Sequence, residues 1–276
     1  MIKLGVEKEK GKLGCHDFLN SKLLSYPLTR MGDSNPFHLV FDTPARLSSM
    51  LQKGEVDLAV IPSIEYGRQC GLRIIPGFSI SSFGAVETVL LFCKENVSKI
   101  EKVAVDSTSR TSVAMLRILL AERFKIRPSF ISATPSIDQM MEIADAALVI
   151  GDNAFTPPSS KYSVYDLGGE WYTLSKKPFV HAVLAVSPDT RLSSLETSTL
   201  GEIFLSLSRN ENNLANVVDE EAKRLGIDKD VVKEYLTKRI RYTLGEPEID
   251  GLKHFFALSK KYGLLKSTPE IVFYDQ

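Results

Sequence analysis

A chain of 276 residues that is 43% hydrophobic and 25% charged has the apolar content for a large core, in one large domain or two medium ones. Its 34 basic and 34 acidic side chains cancel. No global field therefore recruits nucleic acid or an anionic membrane, and any anion site must be local. Three cysteines, Cys15, Cys70 and Cys93, are odd in number and widely spaced with no CxxC pair. They argue against a disulfide scaffold or a zinc site and fit buried free thiols in a reducing compartment. The N-terminus turns charged within seven residues, without an apolar signal core, and no run approaches the roughly 18 apolar residues of a membrane span. The expected location is the cytoplasm.

Residues 3–6 and 12–15 echo each other across a charged turn and predict two short strands. The second leads into Phe18-Leu19-Asn20-Ser21, read as a strand end breaking into a loop. Residues 37–41 predict a strand. Thr43 then caps a helix with Pro44 at its first position, and Gly54 ends it. Residues 57–62 read as a buried strand, 63–70 as a short helix closed by Gly71, and 73–80 as a strand. Ser81-Ser82-Phe83-Gly84 reads as a loop before a β-like stretch at 86–93. A strand at 101–106, a helix at 109–124, a strand at 128–131, a helix at 135–143 and a strand at 146–150 follow. Residues 156–160 read as a loop, 162–167 as a strand, 168–175 as a short helix and 179–186 as a strand. Beyond Pro188 the pattern is helical, at 190–208, 210–225, 228–240 and 247–262, with breaks at Gly226 and Gly245.

Short buried strands alternating with helices predict an α/β protein with parallel sheets and a helical C-terminal region. Ligands in such sheets sit beyond the carboxyl ends of the strands. Polar clusters fall at those places: Asn20-Ser21, Ser63, Thr108-Ser109-Arg110-Thr111 and Gly151-Asp152, with Ser81-Ser82 in a loop as a fifth. Two lobes facing across a cleft gather five such clusters more easily than one sheet edge does. The stretch at 103–121 is the most informative. A short apolar strand feeds a helix through Ser, Thr and Arg, where free N–H groups and the helix dipole favour an anion and Arg110 can clamp it. The same residues also suit an ordinary helix cap with a solvated arginine. The turn is not glycine-rich and has no Walker lysine, which disfavours nucleotide binding.

In order along the chain, several motifs resemble one family. They are Phe18-Leu-Asn-Ser21, the stretches 57–66 and 83–92, the Ser109-Arg110-Thr111-Ser112 turn within 105–114, Ile150-Gly151-Asp152, and 165–171 with Pro178-Phe179-Val180. This pattern is similar to the chorismate dehydratase family of the futalosine route to menaquinone. The resemblance covers residues 12–187 and is most specific at the Ser-Arg-Thr-Ser turn and the Ile-Gly-Asp tripeptide. The family's usual Tyr-Leu-Asn, followed shortly by a proline, is here Phe18-Leu19-Asn20 with Leu23. The usual Thr-Gly-Leu after Trp171 is Ser175-Lys176-Lys177.

The resemblance implies a two-lobed periplasmic-binding-protein-like fold of type II with a double crossover. Lobe one would be residues 1–92 plus 183–276, and lobe two the inserted residues 93–182. The segments 86–93 and 179–186 would cross between them. It implies a hydro-lyase that takes water from chorismate, a small dianion, without a cofactor or metal, as a monomer or homodimer. Asn20 would be the catalytic residue. Ser63, Ser82, Gly84, Thr108, Ser109, Arg110, Thr111, Gly151 and Asp152 would bind substrate. Asn20 also suits a plain turn, and Asp152 a helix N-cap.

No His/Asp or Cys/His pair stands out as a base among His16, His38, His181 and His254. That suits the route the resemblance implies, in which the substrate's own enolpyruvyl carboxylate takes the ring proton. Glu65 and Tyr66 either support the pocket floor or lie on a polar helix face, and Trp171 is expected in the core. Residues 223–241 read as a solvated helix face over a packing stripe of Val231, Val232 and Leu236. A related enzyme that forms dihydroxynaphthoate carries a histidine where this chain has Gly151, which counts against that activity. A non-catalytic small-anion binding or sensing protein of the same fold is the alternative reading.

Overall fold

A computed structural model describes residues 10–106, 109–134, 136–155, 161–209 and 213–275. The first β-α units follow their local signals closely. Strand β1 (Gly11–Cys15) leads through a 3-10 turn (Leu19–Ser21) into helix α1 (Lys22–Arg30). Strand β2 (Phe37–Phe41) precedes α2 (Pro44–Gln52), whose cap is Thr43, its hydroxyl accepting from the Arg46 N–H. Strand β3 (Leu58–Pro62) is buried along its whole length and runs straight into α3 (Ser63–Arg68), and β4 spans Arg73–Ser82.

Two expectations shift here. The stretch after β1 is not a loop but a turn of helix continuing into α1, which contains Pro27 and has no side-chain cap. Ser81 and Ser82 are not in a loop but form the carboxyl end of β4. The strand predicted at residues 3–6 lies outside the described residues.

The middle of the chain holds β5 (Val89–Cys93), β6 (Lys102–Asp106), α4 (Thr111–Glu122), β7 (Ser129–Ala133), α5 (Ile137–Ile143) and β8 (Ala146–Ile150). A 3-10 turn (Gly151–Phe155), β9 (Ser163–Asp166), α6 (Leu167–Ser175) and β10 (Phe179–Val186) complete it. The loop predicted at 156–160 lies outside the described residues. The C-terminal third is helical: α7 (Ser194–Arg209), α8 (Leu214–Leu225), α9 (Lys229–Glu234) and α10 (Glu246–Lys261). A π-helical turn (Tyr235–Arg239) extends α9. In the stripe predicted there, Val232 and Leu236 are buried but Val231 is exposed.

The strands form two five-stranded sheets, in the orders β2-β1-β3-β10-β4 and β7-β6-β8-β5-β9. The expectation of parallel sheets is corrected. β1 runs parallel to β2 and β3, but β10 is antiparallel to both β3 and β4. β6 runs parallel to β7 and β8, while β5 is antiparallel to β8 and β9. The cause is connectivity. The chain passes to the second sheet between Ser82 and Val89 and returns between Asp166 and Phe179, so each sheet holds a strand that runs against the β-α-β sense. Strand pairing thus assigns β5 wholly to the second sheet and β10 wholly to the first.

One carboxylate ties the two passages together. Asp166 accepts from the N–H groups of Val86 (3.1 Å) and Glu87 (2.6 Å) on the outgoing passage. It also caps α6 through the Gly169 N–H at 2.9 Å. Glu87 there has a positive φ of 63°, an uncommon backbone for a residue with a side chain. Gly168 packs so closely on the same passage that a Cβ would stand 2.5 Å from the Gly84 carbonyl oxygen.

A continuous apolar core runs through both sheets, and a smaller cluster of Phe92, Ala104, Met140, Met141, Ala144 and Ala147 sits under α5. Trp171 of α6 is fully buried, as expected, with its ring 5.0 Å from Phe179 of β10 and 6.0 Å from Phe255 of α10. Cys15 and Cys93 are buried, and desolvation pushes both thiols up to about 12. Cys70 is exposed, contrary to expectation, because α3 ends before it. No helix among the described residues is long and apolar enough to cross a membrane.

Candidate functional site

The turn that carries Asn20 is held from several sides. Ser21 donates its hydroxyl to the His16 carbonyl and to that of Phe18. The Leu19 N–H donates to Asp152 Oδ1 at 3.0 Å, so a residue following β8 fixes a turn following β1. The other Asp152 oxygen takes a 2.6 Å bond from Arg224 of α8. Arg224 also pairs with Glu221, which in turn lies 3.3 Å from Lys22 of α1. Asp152 is therefore not an N-cap; partly buried, it braces the Asn20 turn.

Gly151, the residue before it, has φ +61° and donates its N–H to the Thr88 carbonyl at 2.8 Å. A histidine at 151 would have to adopt that left-handed backbone against the Phe18 ring, 3.5 Å from where its Cβ would stand.

A second group comes from the passage between the sheets and from the C-terminal region. Tyr235 opens the π-helical turn and is buried, with its ring edge-on to Phe155 at 5.2 Å. Its hydroxyl lies 2.9 Å from Thr88 Oγ1, and the nearby Asn20 amide, like Thr88, acts to lower its pKa. Burial dominates its titration and holds the phenol above its usual range. The Asn20 Oδ1 atom is buried and has no partner among the described residues. The hydroxyl of Tyr242, also buried, has none either. A buried polar atom left unpaired costs about 1–3 kcal/mol, so such atoms mark where a ligand or water is accommodated.

The third group lies where α3 and α4 meet. Thr111 Oγ1, at the start of α4, accepts from the Ile64 N–H of α3 at 3.3 Å. Ser63 turns away from this contact and donates to the Val180 carbonyl at 2.7 Å. Ser109 is buried, and its Oγ has no partner among the described residues. Arg110 precedes α4 and is exposed. Thr108 lies outside the described residues.

At the end of β4, Ser82 Oγ lies 2.9 Å from His181 Nε2. His181 is buried against Phe179, and desolvation lowers its pKa to about 4, so it is neutral at pH 7. Gly84, with φ +101°, has open space around it. His16 is buried beside Phe18 with Nδ1 unpartnered among the described residues. Its pKa also falls to about 4, chiefly through burial.

The contacts link these groups. Tyr235 reaches Thr88, and Thr88 reaches Gly151. Thr111 reaches Ile64, and Ser63, beside Ile64, reaches Val180 next to His181 and Ser82. Ser63, Ser82, Thr111 and Asp152 thus have their side chains committed to protein partners, while Asn20 Oδ1 and Ser109 Oγ have none among the described residues.

Glu65 pairs with Arg68, and the Tyr66 hydroxyl binds the C-terminal segment at Glu270 and Val272; neither supports the pocket floor. A cavity of about 1190 Å³ at the carboxyl end of α3, lined by Arg68, Arg73 and Lys266 among others, contains none of the candidate residues. No cluster of potential metal ligands occurs among the described residues.

The residues missed in the sequence are Thr88, Tyr235 and Tyr242. Tyr235 lies three residues after Val232 and one before Leu236, so its spacing reads as part of a packing stripe. Only its hydroxyl, which periodicity ignores, carries it into the site.

The family model described as menaquinone biosynthesis matches residues 11–261. The chain belongs to the menaquinone biosynthesis family. Among relatives of this family member, a chorismate dehydratase of Thermus thermophilus is 31% identical over 237 residues, which is 79% of this chain and 85% of the relative. Among solved structures, a protein from Archaeoglobus fulgidus superposes with a TM-score of 0.75 at 17% identity, covering 94% of this chain and all of the other. The alkanesulfonate-binding protein of Xanthomonas axonopodis pv. citri gives 0.68 at 16% identity, covering 97% and 96%. A Candida albicans protein with the generic periplasmic binding protein fold gives 0.61 at 12%, covering 95% and 92%. The menaquinone biosynthesis family member thus has the two-sheet, two-lobed fold of periplasmic binding proteins.

Proposed function

We propose that this family member is a chorismate dehydratase, a hydro-lyase that converts chorismate to 3-[(1-carboxyvinyl)oxy]benzoate and water in the futalosine route to menaquinone. The observation that carries the reading is Asn20 Oδ1, buried and without a partner among the described residues, in a member of this family. A substrate hydroxyl is a donor that can satisfy it. The reading is supported also by Ser109 and Arg110 at the start of α4, where a hydroxyl without a partner among the described residues, an exposed cation and the helix dipole suit one carboxylate of a dianion. The left-handed backbone at Gly151 favours this activity over that of the histidine-bearing sibling enzyme.

In the proposed mechanism Arg110 and Ser109 grip a carboxylate, and Asn20 holds the C4 hydroxyl through its carbonyl oxygen. The C3 proton passes to the substrate's enolpyruvyl carboxylate. The C4–O bond then breaks, that proton leaves with the hydroxyl as water, and the ring becomes aromatic. His181 and His16, both neutral at pH 7 and shielded from solvent, are not needed as bases. The jaws would be the two sheets with their helices, the first built on residues up to Ser82 and from Phe179 onward and the second on Val89–Asp166, close to the division at 92/93 and 182/183 that the resemblance implies, and they would close around a ligand of the cytoplasm.

The test is incubation of the purified protein with chorismate, without added metal or nucleotide, followed by mass and ultraviolet detection of the aromatic enolpyruvyl ether. Turnover is expected. Tight binding of chorismate without turnover would instead identify a small-anion binding protein. Arg110→Ala is expected to raise KM at least about tenfold, the loss of one charge-assisted carboxylate contact.

A further inference from the structure

The cavity of about 1190 Å³ is walled by four segments far apart in the chain: the carboxyl end of α3, the start of β4, the residues that follow β10 and the tail beyond α10. The tail is anchored. Val272 donates its N–H to the Tyr66 hydroxyl at 2.9 Å, and its carbonyl accepts from the Ile74 N–H at 2.8 Å. The Tyr66 hydroxyl in turn donates to the Glu270 carbonyl at 3.0 Å. Leu265 seats against α3 because Gly67 has no side chain; a Cβ there would stand 2.9 Å from its Cδ1. Apolar surface stays accessible on the wall, at Leu264, Pro269 and Val272, the last 44% exposed.

Charge around this cavity is one-sided. Arg68, Arg73, Arg191 and Lys266 line it against a single acid, Glu270. Arg68 is neutralised by Glu65 at 2.6 Å. Arg73 is held in place, its Nη2 donating to the carbonyls of Ser187, Pro188 and Thr190 and its guanidinium lying 4.8 Å from the Tyr274 ring centre; none of these partners is an acid. Lys266 is exposed and has no ion pair among the described residues. It is not needed to cap α10, because the N–H groups of Gly263, Leu264 and Leu265 already return to the Lys260 and Ser259 carbonyls. A chain without net charge thus gathers cations around a partly apolar hollow. Size and mixed lining suit a small molecule.

We propose that this cavity is a second ligand site, separate from the candidate active site, that takes a small anion with an apolar body: an aryl or alkyl carboxylate, sulfonate or phosphate ester. The anionic end meets Lys266, with the fixed charge of Arg73 close by, and the body lies against Leu264, Pro269 and Val272. The site is independent of the proposed dehydration.

Cys70 reports occupancy. It lies on the cavity wall and is exposed, whereas Cys15 and Cys93 are buried. The uncharged disulfide dithiodipyridine reads it: the Cys70 thiolate attacks the S–S bond, forms a mixed disulfide and releases the coloured thiopyridone. The probe is anilinonaphthalene sulfonate, and the neutral control is phenylnaphthylamine, the same rings without the sulfonate. At about ten times its Kd the sulfonate should slow the Cys70 reaction about tenfold, in step with the fraction of sites left empty. Lys266→Glu should weaken sulfonate binding about tenfold, the loss of one charge-assisted contact, and leave binding of the neutral amine within about twofold. Its turnover of chorismate should equal that of wild type. An unchanged Cys70 rate with bound sulfonate overturns the proposal, as does sulfonate binding that Lys266→Glu leaves intact. Protection of Cys70 by chorismate as strong as that by the sulfonate overturns it too, since the cavity would then be the chorismate site itself.

Discussion

At the residue scale, the buried imidazoles tie stability to pH. His16 and His181 are buried neutral, each with its pKa lowered to about 4 by desolvation; for His16, Asp17 pulls the other way and Lys22 adds to the fall. The unfolded chain binds protons at these rings below about pH 6.5, and the folded chain does not until about pH 4. Their contribution is therefore complete above pH 6.5 and is lost as pH falls toward 4. The slope approaches about 1.4 kcal/mol per pH unit for each histidine. Denaturant titrations across that window should show the loss, and His181→Gln should flatten it. Asp152→Asn keeps an acceptor for Leu19 but removes the ion pair with Arg224. It is expected to lower kcat/KM of the dehydration about tenfold, the equivalent of about 1.4 kcal/mol in the transition state. Steady-state kinetics check this, and thermal melts should move little.

At the scale of elements, the passages between the sheets are the places where a small change should matter most. Asp166→Ala would orphan the N–H groups of Val86 and Glu87 and uncap α6 at Gly169. A loss of about 2–3 kcal/mol in urea unfolding is expected from one helix cap plus two backbone bonds. Gly251→Ala should also destabilise, because a Cβ on α10 would collide with the Pro178 carbonyl just before β10. Elements with strong local signals were legible in the sequence: Thr43-Pro44 opened α2, and the apolar run at 179–186 matched β10 residue for residue. Helix α1 was not legible, because its start has no side-chain cap, Ser21 being spent on carbonyls behind it, and Pro27 interrupts the pattern. Strand direction was hidden for another reason. β5 and β10 are antiparallel only because the chain crosses between sheets, and no local pattern records a crossing. In the candidate site, Asn20, Ser109 and Arg110 could be read from their polar turns after strands. Tyr235 and Thr88 meet only through long-range packing.

At the scale of the molecule, the continuous core and the Thr111–Ile64 bond make the two lobes interdependent. Trp171→Ala removes a fully buried side chain wedged between α6, β10 and α10, and should cost about 3–5 kcal/mol in a single cooperative transition. Separate melts for the two lobes would contradict this. The strand order of the first sheet also sets a timetable for synthesis. β4 joins that sheet only through β10. On the ribosome, β4 emerges with its apolar Ile74, Phe78 and Ile80 and waits for a partner roughly a hundred residues downstream, on the order of 5–20 s later. The second sheet, drawn wholly from Val89 to Asp166, can close during that wait. A nascent chain that has released residues up to 166 should therefore still carry an unpaired β4 that proteases cut, the segment most in need of a chaperone.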